Sequence, residues 1–333
     1  MPPFGGSWQR RLNRKIFLPL IRNTARRLGL RDVLIITYLP SDTAVDLIEL
    51  LRSPRSLIIY YCVADFAQLT PQVDLLRESE KSLLQLSDLV FAQGPEIADH
   101  AAQWSDEIHI FPPGVDLDKF PLPEKNGNSA SRVEDSLFEN SDQAALLRSL
   151  PRPIIGYIGG LHRHIDFGLV IEMARARRDW SWIMVGPIQT SVGTLGELPN
   201  VYLLGQKPHN HLVHYIRQFD VCIVPYVNSI YTATVVPTKI NEYLAVGKPV
   251  VSTRLPAVCE FNLKHQILQT AATDPDVFLQ CIERALVAPS DEIVIAQRRE
   301  VAKLGSWETR LEAMSKLIRG ALAAKRAEAD VKT

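Results

Sequence analysis

Short apolar runs alternating with longer amphipathic stretches constrain this chain more than any other feature. Runs at 33–38, 57–61, 88–92 and 108–111, and again at 154–158, 182–185, 201–204, 221–224, 250–252 and 267–269, have the length and apolar content of buried strands. Stretches with helical periodicity lie between them, among them 73–87, 168–178, 210–218, 238–246 and 275–287. This alternation predicts an α/β protein with parallel sheets, because parallel neighbours need a crossover long enough to hold a helix. Several predicted strands end in Gly or Pro directly before a helical stretch, as βα turns at a ligand-binding edge do.

With 333 residues the chain can hold two domains. The pattern divides into a basic segment (1–31), a first sheet domain (32–120), a polar linker (121–152), a second sheet domain (153–305) and an amphipathic helix (306–326) carrying Leu311, Met314, Leu317 and Ile318. Residues 1–31 hold eight basic side chains and no acidic one. Pro19 is expected to interrupt any long helix there. Phe17, Leu18, Leu20 and Ile21 are interleaved with the cations, which suits peripheral contact with anionic lipid; an RNA-binding arm or a solvated helix are the other readings. Over the whole chain 37 basic residues balance 37 acidic ones, which argues against a general nucleic-acid binder. Cys62, Cys222, Cys259 and Cys281 lie far apart and read as thiols of a reducing compartment, not a disulfide frame or zinc site. No apolar run approaches the roughly 20 residues of a membrane span, and no secretory signal is evident. The expected location is cytoplasmic, with the basic segment favouring the inner face of the membrane.

Residues 220–253, DVCIVPYVNSIYTATVVPTKINEYLAVGKPVVST, carry the chemistry. An apolar strand ends at a proline, a loop with Pro237 and Lys239 enters a helix carrying Glu242, and a Gly-Lys-Pro turn launches the next strand. Lys239 and Glu242 are three residues apart and share a helix face. A cation and free N–H groups at a helix start can hold a diphosphate, and a carboxylate one turn on can accept two ribose hydroxyls. Gly159 and Gly160 after one strand and Gly186 after another allow close backbone approach to such a ligand. No GxSxG, HExxH or Walker pattern supports a hydrolase or an ATPase.

This block resembles the nucleotide-sugar site of GT-B glycosyltransferases, especially the bacterial family 4 group. FPPGVDLDKF (111–120), IIGYIGG (154–160), DWSWIMVGP (179–187), NVYLLGQKPHNHLVHYIRQFDVCIVPY (200–226) and SWETRLEAM (306–314) follow in that family's order. The resemblance runs from about residue 57 to about residue 318. It implies two Rossmann-like parallel-sheet domains facing a cleft, with the C-terminal helix packing back toward the first domain. Only four strands are found before residue 120, and the strand and loop that open such proteins have no counterpart, so the first domain is expected to be incomplete.

By the same resemblance Glu242 holds the donor ribose, and Lys239, Pro237, Gly159, Gly160 and Gly186 surround the diphosphate. Arg163, His162 and His164 are the cationic candidates after the first glycine loop; Arg163 could pair with phosphate, and a solvated loop arginine is the equal alternative. Gln206 and Lys207 lie against the base. Thr234 stands where many retaining relatives have the first glutamate of an E-x7-E pair, next to the donor sugar. Asp65, past a strand end in YYCVADF (60–66), is a general base, an acceptor contact or a helix cap. His100 and His109 show no partner spacing. The expected function is metal-independent transfer of a sugar from a UDP- or GDP-sugar to a hydroxyl of a surface polysaccharide or polyprenyl-linked glycan, with Lys239 clamping the leaving diphosphate and no cofactor. The rivals are a catalytically inactive nucleotide-sugar binder and a GT-B sugar-nucleotide epimerase.

Overall fold

The computed structural model describes residues 6–121, 138–233 and 237–331. The chain forms two compact units, Met1–Pro112 with Leu311–Thr333, and Pro113–Arg310.

The first unit begins with helix α1 (Ser7–Leu12), a π-helical turn over Asn13–Phe17 and α2 (Leu18–Arg27), in direct succession. This corrects the expectation that Pro19 would break the helical path. Pro19 sits in the first turn of α2, where a missing N–H costs little, and the Leu18 N–H just before it reaches back five residues to Asn13 O. The segment is tied to α3 (Asp42–Leu51) by the ion pairs Arg10–Asp42 and Arg14–Asp46. Its outer side leaves Trp8, Ile16, Phe17 and Leu20 exposed.

Four parallel strands follow in sheet order β1 (Leu34–Thr37), β2 (Leu57–Cys62), β3 (Leu89–Ala92) and β4 (Ile108–Ile110). The two central strands are apolar almost throughout because both faces are covered. Ile58, Tyr60, Val90 and Ala92 pack with Ile48 of α3, Leu83 and Leu84 of α4 (Val73–Leu86) and Ile97 of α5 (Pro95–Ala101). Leu57, Ile59, Leu89 and Phe91 face the other way, onto Met314, Leu317 and Ile318. Those residues belong to the last helix, α14 (Trp307–Val331).

In the second unit, α6 (Asp142–Ser149) precedes six parallel strands: β5 (Ile154–Ile158), β6 (Ser181–Val185), β7 (Val201–Leu203), β8 (Val221–Val224), β9 (Val250–Thr253) and β10 (Gln269–Ala271). Residues 122–137 of the expected linker lie outside the described residues. The rest of it is not a linker: Ala144 and Leu147 of α6 and Leu150 after it are buried, and Leu147 and Leu150 join the main core. The Ser141 hydroxyl caps α6 by accepting from the Ala144 N–H. β10 begins two residues later than the sequence suggests. The N–H groups of Ile267 and Leu268 are held by the Asn262 side chain at the end of the preceding helix and are not free for a ladder.

The sheet order is β10-β9-β8-β5-β6-β7. The helices are α7 (Phe167–Ala176), α8 (Leu212–Gln218), the short α9 (Ile230–Ala233), α10 (Thr238–Ala245), α11 (Pro256–His265), α12 (Pro275–Val287), α13 (Glu292–Leu304) and α14 (Trp307–Val331). α14 supplies the residues packed on the first sheet. No helix among the described residues is long and apolar enough to cross a membrane.

Candidate functional site

The order of the second sheet reverses between β5 and β8. From there the chain winds outward in both directions, so loops leaving the carboxyl ends of these two strands diverge and leave a crevice. Here they are also stitched together. The Asp166 N–H donates to Pro225 O (2.8 Å), the Val227 N–H donates to His164 O (2.9 Å), and Ile165 bridges Tyr226. The loop after β6 closes on the same place, with the Leu161 N–H donating to Pro187 O at 2.8 Å. Two glycines are obligatory. Gly186 has φ +157°, and a Cβ there would overlap the carbonyl of Gly159. Gly159 has φ +127°, and its missing Cβ leaves room for the Lys239 stem, whose Cε would lie 3.1 Å away.

Lys239 is the second residue of α10, capped by Pro237, and is only 8% exposed. Its Nζ donates to the Tyr226 hydroxyl (2.5 Å) and stands 4.8 Å from the Tyr226 ring centre and 5.3 Å from that of Tyr157. No carboxylate pairs with it among the described residues. A buried ammonium held only by neutral groups, at the positive end of a helix dipole, is an electrostatic demand for an anion. Other lysines and arginines of this unit are treated differently. At the opposite end of the sheet Lys248 donates to Arg217 O, and Arg298 to Gly247 O, carbonyls at or just past helix ends.

Glu242 lies one turn along α10 with its side chain 16% exposed. Burial pushes its carboxyl above the ordinary range, and Lys239 and His209 pull it back. His209, in the 3-10 turn His209–His211 after β7, meets it at 3.4 Å and packs edge-on against Phe120.

The expected residues meet unequally. Gly159, Gly160, Gly186, Pro237, Lys239 and Glu242 surround one crevice. Arg163 is exposed and makes no hydrogen bond or ion pair among the described residues, while His162 and His164 on either side are half-buried. Gln206 is exposed, and Lys207 extends over the Tyr215 ring, 5.8 Å from its centre; His209 is the member of that loop that contacts Glu242. Thr234 lies outside the described residues. Tyr157, Tyr226 and His209 escaped the sequence reading. Both tyrosines sit in or next to strands and look like core, and the histidine is lost in a polar loop. Among the described residues no group of three His, Cys, Asp or Glu side chains is arranged to hold a metal ion.

Asp65 belongs to the first unit. Its Oδ1 accepts from the Ala67 N–H and caps the 3-10 turn Phe66–Leu69, and its carboxylate pairs with Arg77 at 3.0 Å. Arg77 also pairs with Glu80 (3.1 Å), which is buried and accepts from Tyr60 and Cys62. Burial, with the Glu80 charge adding to it, pushes the Cys62 thiol up to about 12. His100, without partner spacing in the sequence, joins this network at 3.1 Å from Glu80.

Residues 152–287, the span that builds the crevice, match the family Glycosyl transferases group 1. The chain is similar to a protein from Bacillus subtilis (strain 168) described as a putative teichuronic acid biosynthesis glycosyltransferase, TuaH. The two are 30% identical over 259 residues, which is 75% of this chain and 64% of that protein. Among solved structures, sucrose-phosphate synthase from Thermosynechococcus elongatus matches with TM-score 0.69 at 18% identity, covering 92% of this chain and 78% of that one. Anabaena Alr3699/HepE, solved in complex with UDP, matches with TM-score 0.68 at 13% identity, covering 91% and 82%. The fold is therefore GT-B, as the motif order implied.

Proposed function

We propose that the protein is a glycosyltransferase that moves a sugar from a UDP- or GDP-sugar to a hydroxyl of a cell-surface polysaccharide or a lipid-linked glycan intermediate. The observation that carries this reading is Lys239, a buried cation with no carboxylate in ion-pair contact among the described residues, one helical turn from Glu242 and against the glycine loop. Such a group stabilises the charge that develops on a leaving diphosphate, and it does so without waiting for solvent to reorganise. The carboxylate next to it suits the ribose hydroxyls. The UDP bound in a structure of the same fold supports the choice of nucleotide. The name of the Bacillus relative supports a cell-envelope acceptor. A hexosyl donor, retention of configuration and a reaction without metal or other cofactor are parts of the same proposal. In it Lys239 and the N–H groups of the glycine loop provide the positive charge.

In the first unit, Asp65 is proposed as the acceptor's base. Asp65→Asn should then lower transfer by about 100-fold or more with donor binding unchanged. Unchanged transfer would leave Asp65 as a cap alone.

The first test is a thermal-shift panel with UDP, GDP and their sugars. A bound nucleotide raises the unfolding temperature with the logarithm of its concentration relative to its Kd, and silence across the panel would sink the reading. Nucleotide binding without release of diphosphate in the presence of envelope lipid extracts would point to the non-catalytic binder.

Contact with the membrane is proposed through α1, α2 and the turn between them. Arg11, Lys15, Arg22, Arg26 and Arg27 are exposed and have no ion pair among the described residues, and Trp8, Ile16, Phe17 and Leu20 are exposed beside them. Ile16 and Leu20 cannot stack on bases, and with Trp8, Phe17 and the cations they make a basic, apolar face that matches an anionic bilayer. Sedimentation with phosphatidylglycerol vesicles should carry the protein down at low salt; protein left in solution would end this part of the proposal.

A further inference from the structure

His162 has no part in the function proposed so far. It follows the glycine loop, half-buried, with its ring centre 5.6 Å from that of Tyr226 and 5.4 Å from that of His164. Since the Tyr226 hydroxyl holds the Lys239 ammonium, His162 and Lys239 flank one phenol. The ring is oriented: His162 Nδ1 accepts the backbone N–H of His164 at 3.3 Å. The neutral imidazole therefore carries its proton on Nε2. Lys239 faces it from α10, Tyr226 from the loop after β8, and Arg163 and His164 from its own loop. Tyr157 of β5 and Glu242 complete the titratable groups around Lys239. Burial, and after it the charges of Lys239 and His164, push the imidazole below its ordinary range, so the empty crevice keeps it neutral.

A diphosphate reverses those conditions. Its negative charge would neutralise Lys239, the charged group that most disfavours an imidazolium, and would attract one directly. The 3.3 Å contact from the His164 N–H is long for a hydrogen bond, so giving it up on protonation sacrifices little.

We propose that His162 is the proton-linked half of the diphosphate clamp: it is neutral in the empty crevice, takes a proton from solvent as a nucleoside diphosphate sugar binds, and shares the phosphates with Lys239. No covalent bond forms or breaks. The proposal rests on the nucleotide-sugar reading of this crevice. It implies that the donor grip tightens as pH falls.

Isothermal titration calorimetry with UDP-glucose and GDP-mannose, in two buffers of unequal ionisation enthalpy at one pH, tests it. In both probes each phosphate is esterified, so the ligand itself does not titrate near neutrality. The wild type should take up a measurable fraction of a proton. His162→Gln, whose amide keeps a donor near the Nε2 position, should bind about tenfold more weakly and take up none, whereas His164→Gln should keep the uptake. Wild-type affinity should also fall between about pH 6 and pH 8, with the His162→Gln profile flat. Equal proton uptake by the wild type and His162→Gln, or none by the wild type, overturns the proposal. Should His162→Gln fail to fold, an imidazole titration of wild-type His162 by NMR decides the matter: a pKa raised by UDP-glucose supports the proposal and an unmoved one refutes it. If neither probe binds the wild type, the underlying reading of the crevice has failed, and the proposal with it.

Discussion

The two sheets treat a cation near their carboxyl ends in opposite ways. In the first unit Arg77 is fully answered: Asp65 and Glu80 neutralise it at 3.0 and 3.1 Å, and Tyr60, Cys62 and His100 satisfy Glu80 in turn. In the second unit Lys239 is more deeply buried, yet its only hydrogen-bond partner among the described residues is a phenol. A closed network stabilises the fold that contains it. An open cation costs stability and is retained where a ligand completes it. The contrast separates a structural charge cluster from a binding site better than the count of charges in either.

Replacing each cation by methionine should break this contrast most directly. Lys239→Met should weaken nucleotide-sugar binding by roughly 2–3 kcal/mol, the worth of hydrogen bonds to charged groups. The same variant should unfold at the same or a higher temperature than the wild type when no nucleotide is present. A clear loss of stability in the ligand-free protein would mean that Lys239 is structural after all. Arg77→Met should do the reverse and cost about 2–3 kcal/mol in chemical denaturation, because it strands the Glu80 carboxylate. A neutral outcome there would remove the distinction.

A smaller effect is expected at Glu242. Glu242→Ala should lower donor affinity by about 1.5 kcal/mol in calorimetry, as lost ribose hydrogen bonds would. The smallest is a pH effect on folding. The folded-state pKa of Glu242 is raised above its unfolded value, mainly by burial. The folded protein therefore binds more protons than the unfolded chain between those two values, and stability falls as pH rises through that window. Glu242→Gln should match the wild type below the ordinary glutamate range and exceed it above the raised value. Urea denaturation across pH measures this, and parallel curves would count against the burial argument.

Much of the second unit is legible in the chain because each signal is local. The buried strands are continuous apolar runs, the glycines mark turns, and the Lys239–Glu242 spacing is a property of one helix. The failures have a common cause. Pro19 signals a break only if the preceding turn is α-helical, and a π turn removes that conflict. The segment after residue 138 looks polar, yet Leu147 and Leu150 find a core supplied by residues far along the chain. His100 acquires partners from α4, Arg77 and Glu80, that no spacing rule connects to it.

The sequence by itself determined the alternation of strands and helices, the order of motifs that defines a GT-B protein, and the placing of a lysine and a glutamate on one face of α10. Only the tertiary structure decided that the lysine is buried with no carboxylate in ion-pair contact among the described residues, and that Tyr226 and His162 stand beside it. Burial and pairing depend on the reversal of strand order between β5 and β8 and on the loops hydrogen-bonded across it. That reversal brings together side chains more than sixty residues apart, which no local pattern records.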